Sequence, residues 1–139
     1  MKIDGFIPTI IDEKKDMIIG NTSIGILPHK TGSIGDIDSA LSIKYKKNQK
    51  EHVVLNVNDI IMDSKFIKKL KTLFPSIDIL LCGYTGAGPY PQTYFSLDDK
   101  SLIEEANRKK RQFFDRYKKL TDSLNSKINI PFAGKYILG

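Results

Sequence analysis

One stretch of this 139-residue chain constrains its fold more than any other. A short apolar run at residues 77–81 empties into Cys82-Gly83-Tyr84-Thr85-Gly86-Ala87-Gly88-Pro89-Tyr90-Pro91-Gln92-Thr93-Tyr94. Glycines supply permissive backbone and prolines rigid backbone, so the segment has a specified path. Its three tyrosines, Tyr84, Tyr90 and Tyr94, carry apolar faces with polar tips, which suits the wall of a pocket. An ordinary chain-reversing turn needs only one or two such residues. A strand that ends in a built loop is therefore the first expectation.

The flanking pattern is α/β. Residues 39–45 alternate, with Leu41, Ile43 and Tyr45 apolar, as a half-buried strand does. A polar turn at 46–51 and a second strand at 52–57 complete a hairpin. Asp63-Ser64 caps a helix that carries Phe66, Ile67, Leu70 and Leu73 on one face and stops at Pro75. After the 77–81 strand and its loop, Ser96 or Asp98 opens a long helix at about 99–124, with Leu102, Ile103, Ala106, Phe113, Phe114, Tyr117, Leu120 and Leu124 at helical spacing. Asp98-Asp99 and Glu104-Glu105 suit its first turns, where they favour the helix dipole. Residues 128–134 form a last strand leading to a Gly-containing turn. Short strands are expected at 6–11, 17–19 and 24–27. The length allows one domain with a modest core, taken as residues 1–139.

Composition excludes several classes. No apolar run reaches the length of a membrane span, and the start lacks a signal-peptide pattern, so the cytoplasm is the expected location. Cys82 is the single cysteine, which rules out an internal disulfide and a cysteine zinc cage. At the end of an apolar strand it reads as a buried, inert thiol. The net charge of +6 concentrates in Lys44-Tyr45-Lys46-Lys47, Lys68-Lys69-Leu70-Lys71 and Arg108-Lys109-Lys110-Arg111. Spread over three segments, these residues read first as solvated faces of amphipathic elements. A nucleic-acid footprint is the weaker reading, because no nucleic-acid motif accompanies them. The 83–88 glycines do not follow the order of a dinucleotide fingerprint, lack a following helix and lack the Gly-Lys-Ser/Thr of a P-loop. Two scattered histidines, His29 and His52, build no nucleophilic triad. His52, beside Lys50 and Glu51, reads as an exposed polar residue.

Asp59 follows an apolar strand in Asn56-Val57-Asn58-Asp59 and is a good oxygen ligand in principle, although an Asn-Asp pair also makes an ordinary turn. Four blocks in order tilt that choice: Asp38-Ser39-Ala40-Leu41, Val54-Leu55-Asn56-Val57-Asn58-Asp59, Gly83-Tyr84-Thr85-Gly86-Ala87-Gly88-Pro89-Tyr90-Pro91 and Pro131-Phe132-Ala133-Gly134. Over roughly residues 24–139 they resemble the C-terminal half of metallo-β-lactamase-fold hydrolase domains, in the branch related to nucleotide-sugar hydroxylases that act on CMP-N-acetylneuraminate. The resemblance implies half of an αββα sandwich, with a mixed sheet and two main helices. It implies Asp59 and His29 as metal ligands for zinc, iron or manganese, and Asn58, Tyr84, Thr85, Gly86 and Tyr90 as substrate-binding residues. The family's His-x-His-x-Asp-His block is absent from this chain.

The expectation is thus the C-terminal part of a metal-dependent hydrolase, a partial domain that is catalytically silent alone. It would be completed by an N-terminal half or companion chain and would act on a small, nucleotide-sugar-like substrate. The chain stops within an apolar stretch, Ile137-Leu138-Gly139, which fits a fragment or split protein. Self-association through the uncovered sheet face is expected too. The alternative is a non-catalytic binding or assembly module that uses the same half-fold and its basic helices.

Overall fold

The computed structural model describes residues 10–32, 38–58, 60, 62–85, 90–96 and 98–132. Asp59, Gly86, most of the expected 6–11 strand, the 86–89 part of the glycine-proline loop and the turn at Ala133-Gly134 lie outside the described residues. The elements run β1 (Met17–Ile19), β2 (Thr22–Pro28), β3 (Ser39–Lys47), β4 (Lys50–Asn56), α1 (Ser64–Leu73), β5 (Ile79–Gly83), α2 (Lys100–Leu124) and β6 (Ile128–Phe132). The expected α/β class holds: six strands form one mixed sheet, accompanied by two helices. Among the described residues no helix is long and apolar enough to cross a membrane.

Strand order follows chain order, β1-β2-β3-β4-β5-β6. The first three pairings are antiparallel, and β4-β5 and β5-β6 are parallel. Each parallel step needs a crossover, and α1 and α2 supply the two. Right-handed crossovers that step the same way place both helices on one face. There the helices touch each other and share one core.

The β3-β4 hairpin is longer and tighter than its lysines suggest. Both strands continue through them to a Lys47↔Lys50 pair, leaving only Asn48 and Gln49 to turn. Both have positive φ, 49° and 64°, as in the two-residue turns whose twist matches the strands. A polar composition marked residues 46–51 as a turn, yet lysines sit readily on strands whose side chains reach water.

Alternation divides the sheet into two faces. Toward the helices point Ala40, Ser42, Val53, Leu55, Leu80 and Cys82, all buried. Phe66, Leu70 and Phe74 of α1 and its end, with Leu124 of α2, close over them. On the other face, cross-strand register lines up Ile24, Ile43, Val54, Ile79 and Ile128 in one row. Ile26, Leu41, Asn56, Leu81 and Ile130 form the next. Ile128 remains 54% exposed and Ile130 41%. This second face is apolar, and neither helix covers it.

Helix ends follow local chemistry. The Asp63 carboxylate accepts the Phe66 N–H at 2.7 Å and caps α1, and the helix gives out at Phe74, before Pro75. Asp99, one residue after Asp98, caps α2 by accepting the Ser101 N–H at 2.8 Å. No acidic residue lies in the first turn of α2, so the dipole role expected of Glu104 and Glu105 is not the one observed. Glu105 instead pairs with Arg108 and Tyr90.

At the opposite end of the sheet from those loops, Asp78 joins three strands. Its carboxylate accepts the Val53 N–H at 2.8 Å and the Lys127 ammonium, with His52 Nδ1 3.7 Å away. The Lys127 contact first, then the Val53 amide, pulls its pKa down to about 2. A carboxyl that ionises more readily when folded stabilises fully above its ordinary range, and that gain fades as pH falls from about 4 toward 2.

Two outcomes are expected. Asp78→Asn flattens the loss of stability between pH 4 and 2, read as urea midpoints across that window, and lowers stability at pH 7; a variant as acid-sensitive as the parent removes the clamp. Gln49→Gly relieves a left-handed non-glycine residue and creates an Asn-Gly turn. It raises stability by about 1 kcal/mol in thermal or chemical unfolding.

Candidate functional site

Strand directions bring four of the candidate residues, His29, Asn58, Tyr84 and Thr85, to one end of the sheet. β2 runs into that end, β3 leaves it, and β4, β5 and β6 all run toward it. His29 therefore follows β2, Asn58 follows β4, and Tyr84 and Thr85 follow β5. Crevices outside the carboxyl ends of strands are where open α/β sheets take ligands.

The individual placements differ. Asn58 takes positive φ, 51°, its N–H donating to Asn56 Oδ1 at 2.9 Å, while its carbonyl accepts the Gly83 N–H at 3.1 Å. The Asn-rich strand end is thus a turn that ties β4 to β5. The Tyr84 N–H donates to the Phe132 carbonyl at 3.4 Å, continuing the β5-β6 ladder. Tyr90 lies against α2. Its hydroxyl donates to Glu105 at 2.7 Å, its ring meets Tyr94 edge-on at 5.2 Å, and Lys109 Nζ sits 5.2 Å from the ring centre. Arg108 chiefly, with the Tyr90 hydroxyl, holds Glu105 at about 2.

His29 is 9% exposed and stacks on Phe66 with ring centres 4.6 Å apart. Its backbone N–H donates to the Asp38 carbonyl at 3.2 Å, joining the two sides of the β2-β3 connection. Among the described residues its Nε2 has no hydrogen-bond partner, and Asp63 Oδ1 stands 3.9 Å away. That is beyond hydrogen-bond length.

Two clefts separate these residues. A small one of about 40 Å³ runs between the β4 and β5 ends and α2, lined by Asn58, Cys82, Gly83, Arg116 and Tyr117 among others. Burial pushes the Cys82 thiol up to about 11, so it is the inert sulfur its strand position implied. The larger cleft, about 570 Å³, holds His29 with Asp63, Phe66 and the lysines 14, 30, 65 and 69. Tyr84, Thr85 and Tyr90 line neither of these two.

The described residues do not make a metal centre by themselves. No group of three or more His, Cys, Asp or Glu side chains comes together among them. His29 and Asp63 are a pair at most, in lysine-rich surroundings that disfavour a cation. A metal reading of His29 needs carboxylates from elsewhere.

Sequence reasoning missed the lysine cleft, whose members come from three separate segments, and it missed Asp16. The Asp16 carboxylate accepts from Ser23, pairs with Lys44 at 2.6 Å and lies over the strand where Gly25 lacks a side chain. A Cβ at position 25 would stand 2.5 Å from Asp16 Oδ1 and 2.8 Å from Ser42 Oγ. A glycine inside a strand pattern was the available signal.

No protein-family model matches this chain, and no curated protein matches it. Among solved structures it is similar to the metallo-β-lactamase GOB-18 from Elizabethkingia meningoseptica, at 17% identity and a TM-score of 0.30. The match covers 83% of this chain and 53% of that one, so this chain spans about half the length of the enzyme it matches. Superposition this loose does not by itself assign a family.

The orphan nitrogen yields a prediction. His29→Leu keeps the volume while deleting a buried unpartnered group, and it raises stability by about 1 kcal/mol in equilibrium unfolding. A loss of stability would mean that the imidazole makes a structural bond.

Proposed function

We propose that this chain is one layer, a sheet with helices on a single face, of a two-layer hydrolase domain of the metallo-β-lactamase superfamily. The observation that carries the reading is the second face, where two adjacent rows, apolar but for Asn56, cross five strands and neither helix covers them. An apolar sheet face must be buried against another layer, and a second sheet is the partner that a sandwich supplies. The four sequence blocks that resemble the C-terminal half of such domains point the same way. The collection of His29, Asn58, Tyr84 and Thr85 at one sheet end gives the assembled domain a place for its site.

In that assembly Asp59 is this chain's contribution to a metal held mainly by residues of the covering layer; His29, stacked on Phe66 on the helical side among lysines, is left out of it. Bound zinc, iron or manganese supplies Lewis acidity and an activated water for hydrolysis. This chain's own part is to position the site: the Asn58 turn and the β4-β5-β6 ladder fix the strand ends, and the loop after β5 presents Tyr84 and Thr85 to a small substrate. The nucleotide-sugar-like substrate class rests on the sequence blocks alone.

Two measurements test the reading. Light scattering of the isolated chain gives self-associated species, and Ile43→Lys, which places a charge in the first apolar row, shifts them toward monomer while unfolding stays cooperative. A sharp monomer of the parent chain with cooperative unfolding would overturn the two-layer reading. In the assembled domain, Asp59→Ala lowers the metal retained after dialysis against chelator. Unchanged stoichiometry would return Asp59 to a turn role.

A further inference from the structure

The cleft beside His29 has a chemistry that the hydrolase reading does not use. Four lysines converge on it from three parts of the fold: Lys14 from the segment before β1, Lys30 from the end of β2, and Lys65 and Lys69 from consecutive turns of α1. Their acidic neighbours are engaged. Glu13 pairs with Lys30 at 2.8 Å, and Asp63 caps the Phe66 amide. Lys14 and Lys65 make no side-chain ion pair among the described residues, and Lys69 lies over the Phe66 ring at 5.7 Å. The concave surface therefore keeps a surplus of positive charge.

The ten-residue α1 begins at this cleft with Asp63 as its N-cap, so its leading amides already hold a carboxylate. A second feature points to a ligand independently. His29, which lines the same cleft and is more than nine-tenths buried, carries an Nε2 with no partner among the described residues. A buried polar atom left unpaired is costly, and such sites persist where a ligand or a function uses them.

We propose that this cleft binds a phosphate monoester of a small organic molecule, with the phosphoryl group held by Lys14, Lys65 and Lys69. The volume of about 570 Å³ lies in the range of small-molecule sites and exceeds what a lone inorganic ion fills. Pro28 and Phe66 give the ester's organic part an apolar wall. Asp63, at the lip, sets the polarity of the site: its carboxylate repels the phosphoryl group from the capped side and leaves the lysine side open. The convergence of charge on a concave spot distinguishes this surface from the basic stripe of α2, which suits an extended polyanion. The proposal stands apart from the hydrolase reading, and either can fail alone.

The test uses the full chain at constant ionic strength, titrated with phenyl phosphate and with inorganic phosphate. His29 and His52 are the only histidines, so their imidazole NMR signals report separately on the cleft and on a site elsewhere in the sheet. The expected result is saturable movement of the His29 signals, little movement of His52, and tighter binding of phenyl phosphate than of inorganic phosphate. Lys65→Glu with Lys69→Glu weakens binding about tenfold or more, since two charge-assisted contacts become repulsive. Lys110→Glu with Arg111→Glu on α2 leaves it unchanged. No saturable shift at millimolar ligand, an equal shift with matched chloride, equal weakening by the α2 pair, or equal affinity for the two phosphates would each overturn the assignment.

Discussion

The parallel pairing of β4 with β5 is the constraint on which the rest of the molecule depends. It sets Leu55 beside Leu80 toward the helices and Val54 beside Ile79 on the other side, so one register determines both faces. Being parallel, it obliges the chain to cross over, and the crossover is α1, whose Phe66 and Leu70 then seal the buried side. The next step, β5 to β6, repeats the move with α2. Two crossovers of one hand in one direction put all the helical mass on one face. The bare apolar face is thus a consequence of topology as much as of composition. The same directions bring four strand ends to one side, where their loops can share a site.

The two ends of the sheet divide the work between them. At the closed end, Asp78 binds the Val53 amide and Lys127, tying β4, β5 and β6 where their hydrogen-bond ladder begins. A carboxylate accepting a backbone amide and an ammonium together is a strong anchor because both donors favour its ionised form. At the open end the connections are turns, such as Asn58 and its bond to Gly83, and the helix start at Asp63. Loops carried at one end of a firmly paired sheet are the arrangement in which a scaffold positions a binding end.

What could be read in the sequence was local. Alternation at Leu41, Ile43 and Tyr45 named β3, and Asp63 and Pro75 bracketed α1. The spacing of Tyr117, Leu120 and Leu124 gave the face of α2 that meets the core. These signals are legible because each depends on residues within one or two turns of each other. Polar strand ends were not legible: Lys46, Lys47 and Lys50 belong to paired strands although composition marks a turn. Nor was the Asp78 clamp, whose partners lie 25 and 49 residues away in sequence. Of the residues suggested for a site, His29, Asn58, Tyr84 and Thr85 lie at one sheet end, but His29 and Asn58 line different clefts there. Which cleft a strand end serves is decided by the helix packed beside it, and no single strand carries that information.

The lysine cleft and the bare face make different demands, and the structure keeps them apart. The cleft lies on the helical side, between the β2 end and the start of α1, where Phe66 is shared by the core and by His29. A layer docking on the opposite face would leave Lys14, Lys65 and Lys69 open to solvent. Among the described residues Phe66 belongs to the core and lines the cleft: its ring packs under His29 while its amide donates to the Asp63 carboxylate. Occupancy of the cleft therefore bears on α1 through a residue that also holds the sheet's buried side. A ligand bound to folded chains and not to unfolded ones stabilises the fold by mass action, and here that gain would reach the core through α1.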